Sequence, residues 1–155
     1  MSIQNTAGGV AAIITERLGR IRTADGYESD IGRRIFRGRR KVHDEQVDTG
    51  CVSVIEGVDK PTDRVGGRLA ETMLEQHYGL VAYVPLLADE EPNDAAHRAL
   101  RDMKRAIFDK DATFNQQVKE VKYIGRDIGA REDGVQIVLA VLEIAVVYVE
   151  TLITP

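Results

Sequence analysis

The apolar residues Val10, Ile14, Leu18 and Ile21 recur at spacings of four, four and three. That period puts them on one face of a helix over residues 6–22. Thr6 is placed to cap it, and Gly8 and Gly9 weaken its first turn. Asp25-Gly26 marks a turn, and beyond it helical periodicity stops. Ile31, Ile35 and Phe36 are the apolar points of residues 27–39, and Gly32 and Gly38 interrupt them. An extended strand or hairpin arm near a sheet edge is expected there, where charge blocks unwanted strand pairing. CVSVIEG, residues 51–57, is a short β-rich run. Residues 57–68, GVDKPTDRVGGR, contain one Pro and three Gly and are expected to form a flexible loop. Residues 69–77 fit helix and strand equally. YGLVAYV, residues 78–84, is expected as a buried strand stopped by Pro85.

The next segment has the clearest pattern. Ala96, Leu100, Met103 and Ile107 form an apolar stripe. Asn93 is the expected N-cap, and Asp94 brings negative charge to the first turn. Arg98, Arg101, Asp102 and Arg105 are expected mainly on the outer faces. Residues 118–129 suggest a strand with Val121 and Tyr123 on one side, and residues 130–134 a turn. The last strand, from about Val135, is apolar at even positions (Val138, Ala140, Leu142, Ile144, Val146). It is apolar at odd ones too (Val135, Ile137, Leu139, Val141, Ala145, Val147). Both its faces therefore need cover, from a helix layer on one side and a second layer or neighbouring subunit on the other. The expected architecture is a single α+β domain over residues 1–155: a mixed or antiparallel sheet with two main helices packed on one face.

Composition narrows the chemistry. At 155 residues, 43% hydrophobic and 30% charged, the chain suits one globular domain. A net charge of -4 argues against general affinity for nucleic acid or membrane. The one cysteine, Cys51, excludes an internal disulfide and suits a reducing cytoplasm. No secretory leader is expected from the first residues. The fifteen apolar-rich residues 135–149 contain Glu143 and fall short of the roughly 20 a spanning helix needs. His43, His77 and His97 have no helical metal spacing. Ser2, Ser29 and Ser53 sit in no nucleophile elbow. No P-loop or dinucleotide fingerprint is present, so no metal or cofactor is expected.

Residues 33–41, RRIFRGRRK, stand out against the acidic whole: Arg33, Arg34, Arg37, Arg39, Arg40 and Lys41 are six bases in nine positions. Acidic residues cluster at Asp44, Glu45 and Asp48, and at Asp89, Glu90, Glu91 and Asp94. A solvated edge strand, a protein interface and DNA contact all fit the basic run. Arginine's planar fork favours carboxylate partners at interfaces. Patches of opposite sign allow head-to-tail contact between identical subunits, which closes into a ring when the rotation permits. One motif points elsewhere. Asp48-Thr49-Gly50 matches the catalytic turn of aspartic proteases, and Gly125-Arg126-Asp127 matches the Gly-Arg-Asp segment of the retroviral type. The alternative reading is thus a homodimeric protease using Asp48. Glu45, Gln46 and Val47 before the aspartate and Cys51 after the glycine depart from that pattern.

Three blocks together, YESDIGRRIFRGRR, PNDAAHRALRDMKRAIF and VKYIGRDIGAREDG followed by the apolar strand, resemble small tail proteins of long-tailed phages and prophages. The resemblance is to the lambda-like tail terminator group, and related head–tail completion proteins share the pattern. It implies an α/β subunit that assembles as a hexameric ring, a structural protein with no catalytic residue and no cofactor. In that group the ring caps the head-proximal end of the tail tube, stops tube polymerisation and meets the head connector. Its partners would be itself, the tail tube protein and the connector protein, with DNA only as cargo through the lumen. Its place would be the virion tail, and the bacterial cytoplasm during assembly.

Overall fold

The computed structural model describes residues 6–63, 71–129 and 136–151. Five strands form one mixed sheet: β1 (Ile35–Arg37), β2 (Cys51–Asp63), β3 (Glu71–Pro85), β4 (Glu120–Ile128) and β5 (Ile137–Thr151). Their spatial order is β1-β2-β3-β5-β4. Only β1 and β2 run parallel; every other pairing is antiparallel. Helices α1 (Ala7–Leu18) and α3 (Pro92–Ile107) cover one face, and a short helix α2 (Asp44–Val47) precedes β2. The fold is therefore α+β with the two long helices on one side, as the patterning implies.

The core follows the two periods. Val10, Ile14, Leu18 and Ile21 are fully buried, as are Ala96, Met103 and Ile107, with Leu100 nearly so. They pack on the even-numbered residues of β3 and β5, from Leu74 to Val84 and from Val138 to Tyr148. Each large side chain so buried contributes about 1.5–3 kcal/mol. Val121 and Tyr123 stand opposite Val146 and Ile144 and share this face.

Several boundaries differ from the sequence reading, each for a local reason. Helix α1 is capped by Thr6, whose side chain accepts from Gly9 N, but it ends at Leu18. Ile21 reaches the core from a turn, because the Gly32 N–H bonds Ile21 O and draws that turn inward. Residues 31–33 form a 3-10 turn, so only Ile35–Arg37 of the expected arm is strand. Glu91, not Asn93, caps α3: with Pro92 at the first position, the residue before it takes the extended conformation a cap needs. The expected loop over residues 57–68 is strand as far as Asp63, pairing with β3 through register shifts between Glu56 and Asp59 and between Pro61 and Asp63. Those bulges take up residues 57–58 and 62 and break the alternation that would have announced a strand. Its remainder, 64–68, lies outside the described residues, as does the expected turn at 130–134. Residues 71–77, ambiguous in sequence, are strand throughout, and β3 runs on to Pro85. The strand expected to begin near Val135 is described from Ile137. The segment whose hydropathy raised a membrane span is this strand, and among the described residues no helix is long and apolar enough to cross a membrane.

The second face of the sheet is partly covered by the chain itself. Val42, Val47, Cys51 and Tyr83 form a small second core, with Phe36, Val81, Ile137 and Leu139 packed against it. Further along, Lys122 of β4 and Glu75 of β3 meet across β5 at 3.1 Å. They stand opposite Ala145 and Val147, both of which are buried. Ile55, Val141 and Val149 remain half-buried. The cover that the doubly apolar strand demands is thus supplied in good part within one chain.

Candidate functional site

The basic segment surrounds the edge strand β1. Ile35 turns to the main core and Phe36 to the second one, which anchors the strand between two apolar layers. Its short ladder to β2 leaves the flanking bases outward. Arg33, Arg34, Arg37, Arg39, Arg40 and Lys41 are all exposed. Arg34 Nη1 donates to Gln46 O at 3.2 Å, and Arg39 stacks 4.5 Å from the Phe36 ring centre. The Arg39 carbonyl accepts from Ser53 Oγ at 2.6 Å, which fixes the turn after Gly38. Arg37 lies 3.7 Å from Glu56, and Arg33 only 4.0 Å from Asp30. Among the described residues Arg34, Arg39, Arg40 and Lys41 join no ion pair, so their charge faces outward uncompensated.

The acidic candidates divide. Asp89 and Glu91 are exposed, whereas Glu90 is used internally: its carboxylate accepts from Leu87 N and is gripped by Arg98. The Arg98 contact holds the Glu90 carboxyl below its usual range, with the Leu87 amide assisting. Among the described residues no ion pair joins 89–91 to the basic segment.

The two halves of the protease motif stay apart. Asp48 sits exposed after α2 with φ 52, and Gly50 behind it is buried with φ 117. Gly125, Arg126 and Asp127 lie on β4 at the opposite edge. Three interstrand spacings, about 14 Å, separate β2 from β4 within one chain. Cys51 packs in the second core, and burial pushes its thiol up to about 11. His97 meets Arg126 Nη1 through Nδ1 at 3.1 Å. Among the described residues no three His, Cys, Asp or Glu side chains stand together as a metal site.

Two buried charges escaped the sequence reading. Asp102 was expected outside, yet it is 2% exposed. Its Oδ2 accepts from Ser29 Oγ at 2.5 Å and its Oδ1 from Glu28 N at 3.0 Å. Beside it Arg101 holds Glu28 through two hydrogen bonds, and Arg105 donates to Gly26 O and stacks over Tyr27. Together they bind residues 26–30 to α3. A signal existed: Ala95, Ala99, Asp102 and Ala106 recur at helical spacing, and the three alanines are fully buried. Arg17 is also buried. It donates to Ile107 O at 3.1 Å and stacks over Phe114, so a cation closes the C-terminus of α3, where the helix dipole favours it. Arg17 lines an open cavity of about 520 Å³ between α1 and residues 109–117, whose rim carries the Glu16–Arg20 pair.

No protein-family model matches the chain, and no curated protein matches it.

Proposed function

We propose that this protein is a structural subunit of a phage or prophage tail: a tail terminator whose ring caps the tail tube and meets the head connector. The resemblance in the sequence supplies the family. The exposed, uncompensated basic edge around β1 carries the reading at the level of residues. Four cations that join no ion pair among the described residues, on an acidic protein, suit a surface that carboxylates of another chain complete. They flank a three-residue edge strand whose Ile35 and Phe36 are seated in two cores, so the backbone that carries them is anchored.

The test is particle mass across concentration and salt, followed by negative-stain imaging. The expected species is a closed ring of about six subunits. Arg37→Glu should weaken the ring or its capping of tube ends while the protein melts as the parent does. A species that stays monomer or dimer at every concentration, and in the presence of tube ends, would refute the ring. Normal capping by Arg37→Glu would remove this edge from the interface.

A further inference from the structure

Leu87 is 68% exposed, yet it is held firmly. Its N–H donates to Glu90 Oε2 at 2.9 Å, and its carbonyl accepts from Glu90 N at 3.2 Å. Arg98 fixes the other Glu90 oxygen, and Leu86 N bonds Gln136 O at 2.8 Å. Asp89 completes the turn with φ 61, the left-handed region that Asp and Asn tolerate better than most other side chains. A leucine presented to water by a closed set of hydrogen bonds is preorganised for contact. Its exposed neighbours Asp89 and Glu91 form no ion pair among the described residues.

At the other end of α3 lies a fitting surface. Lys104, Phe108 and Tyr123 line a shallow, mainly apolar socket of about 380 Å³. Tyr123 is 47% exposed, and Lys104 Nζ stands 5.0 Å from its ring centre. Asp109 and Lys110, which follow Phe108, are both exposed. Lys104 has no ion-pair partner among the described residues. An apolar socket edged by Lys104 therefore faces outward at one end of the helix, and an apolar knob flanked by Asp89 and Glu91 at the other.

We propose that Leu87 of one copy of this chain docks into the Lys104–Phe108–Tyr123 socket of the next, with Asp89 and Glu91 beside Lys104. The sixteen residues of α3 span about 24 Å, so knob and socket of one chain do not meet. Repeated from copy to copy, the contact is head-to-tail and builds rings or filaments. Made twice between the same two copies it would close a two-fold dimer, and a parent that stops at dimers overturns the head-to-tail joint. It rests on the self-assembling reading above and gives that assembly a specific joint, separate from the basic edge.

The experiment compares particle mass for the parent, Leu87→Asp, Lys104→Glu and the Lys104→Glu/Asp89→Lys double variant. A disulfide trap accompanies it, mixing Leu87→Cys protein with Tyr123→Cys protein; the buried Cys51 stays silent. Leu87→Asp should weaken association at least about tenfold and Lys104→Glu by about as much, with the double variant recovering most of it. The mixed cysteine proteins should give a cross-linked dimer, and this measurement holds even if Leu87→Asp folds poorly. If the parent forms rings, Leu87→Asp forms the same rings and no cross-link appears, the joint is overturned and the ring stands. If the parent forms open chains that Leu87→Asp abolishes, the joint stands and the closed ring falls. A parent that is monomeric throughout, with no cross-link, overturns both.

Discussion

Replacing Asp102 with alanine isolates the contribution of the buried carboxylate among the groups that tie residues 26–29 to α3. The change removes an acceptor for two donors, Ser29 Oγ and Glu28 N. Hydrogen bonds to a charged group contribute about 1.5–3 kcal/mol each. Part of that returns, because Glu28 is exposed and water reaches its surroundings once the carboxylate is gone. A net loss of about 3 kcal/mol is expected, or about 6–12 °C in melting temperature for a chain of this size. Asp102→Asn keeps one acceptor oxygen and should lose about half as much. Arg101→Ala, which breaks only the exposed pair to Glu28, should cost under about 1 kcal/mol. The assay is urea unfolding of all four proteins, with amide exchange at Glu28 as the local readout. Exchange there should quicken in Asp102→Ala and stay slow in Arg101→Ala. If Asp102→Ala is as stable as the parent within about 0.5 kcal/mol, the carboxylate is not the tie and the reasoning fails.

Gly32→Ala should be severely destabilising: a Cβ there would stand 2.5 Å from the carbonyl oxygens of Leu18 and Ile21, and both are backbone atoms that cannot turn aside. A loss of about 3 kcal/mol or more in urea unfolding is expected, and a variant as stable as the parent would refute the close approach. Cys51 should resist thiol reagents in the native protein and react fully once unfolded. Its folded thiol titrates near 11 against 9.0 for an unburied one. The stability this contributes is complete below about pH 9 and is lost as pH rises toward 11, because the unfolded chain ionises first. Buried Tyr78 and Tyr148, whose hydroxyls burial also pushes up, add to the alkaline fall. Cys51→Ala should lessen its part between about pH 9 and 11, and an unchanged profile there would mean that the thiol contributes nothing to it.

Much of the architecture was legible because it rests on periods the chain itself carries. The stripes Val10–Ile21 and Ala96–Ile107 name both long helices and their buried faces. The doubly apolar 137–147 run names a strand that needs cover on both faces. The basic segment was visible as charge, and a place near a sheet edge was expected from that charge. What escaped depends on partners distant in sequence. Residues 57–63 have no strand period, because two bulges break it; only pairing with β3 makes them a strand. Asp102 looks like any helix-surface acid until residues 26–30 fold against it, and Arg17 like any helix arginine until the end of α3 meets it. Whether strand β5 needs a neighbour also lay beyond the chain's own pattern. Tertiary structure decided it by folding residues 36–47 over one end and bridging Glu75 to Lys122 over Ala145. Local sequence thus determined which residues seek burial and with what periodicity. Only the fold decided which of them find it, because burial and charge pairing are set by what long-range contacts bring alongside.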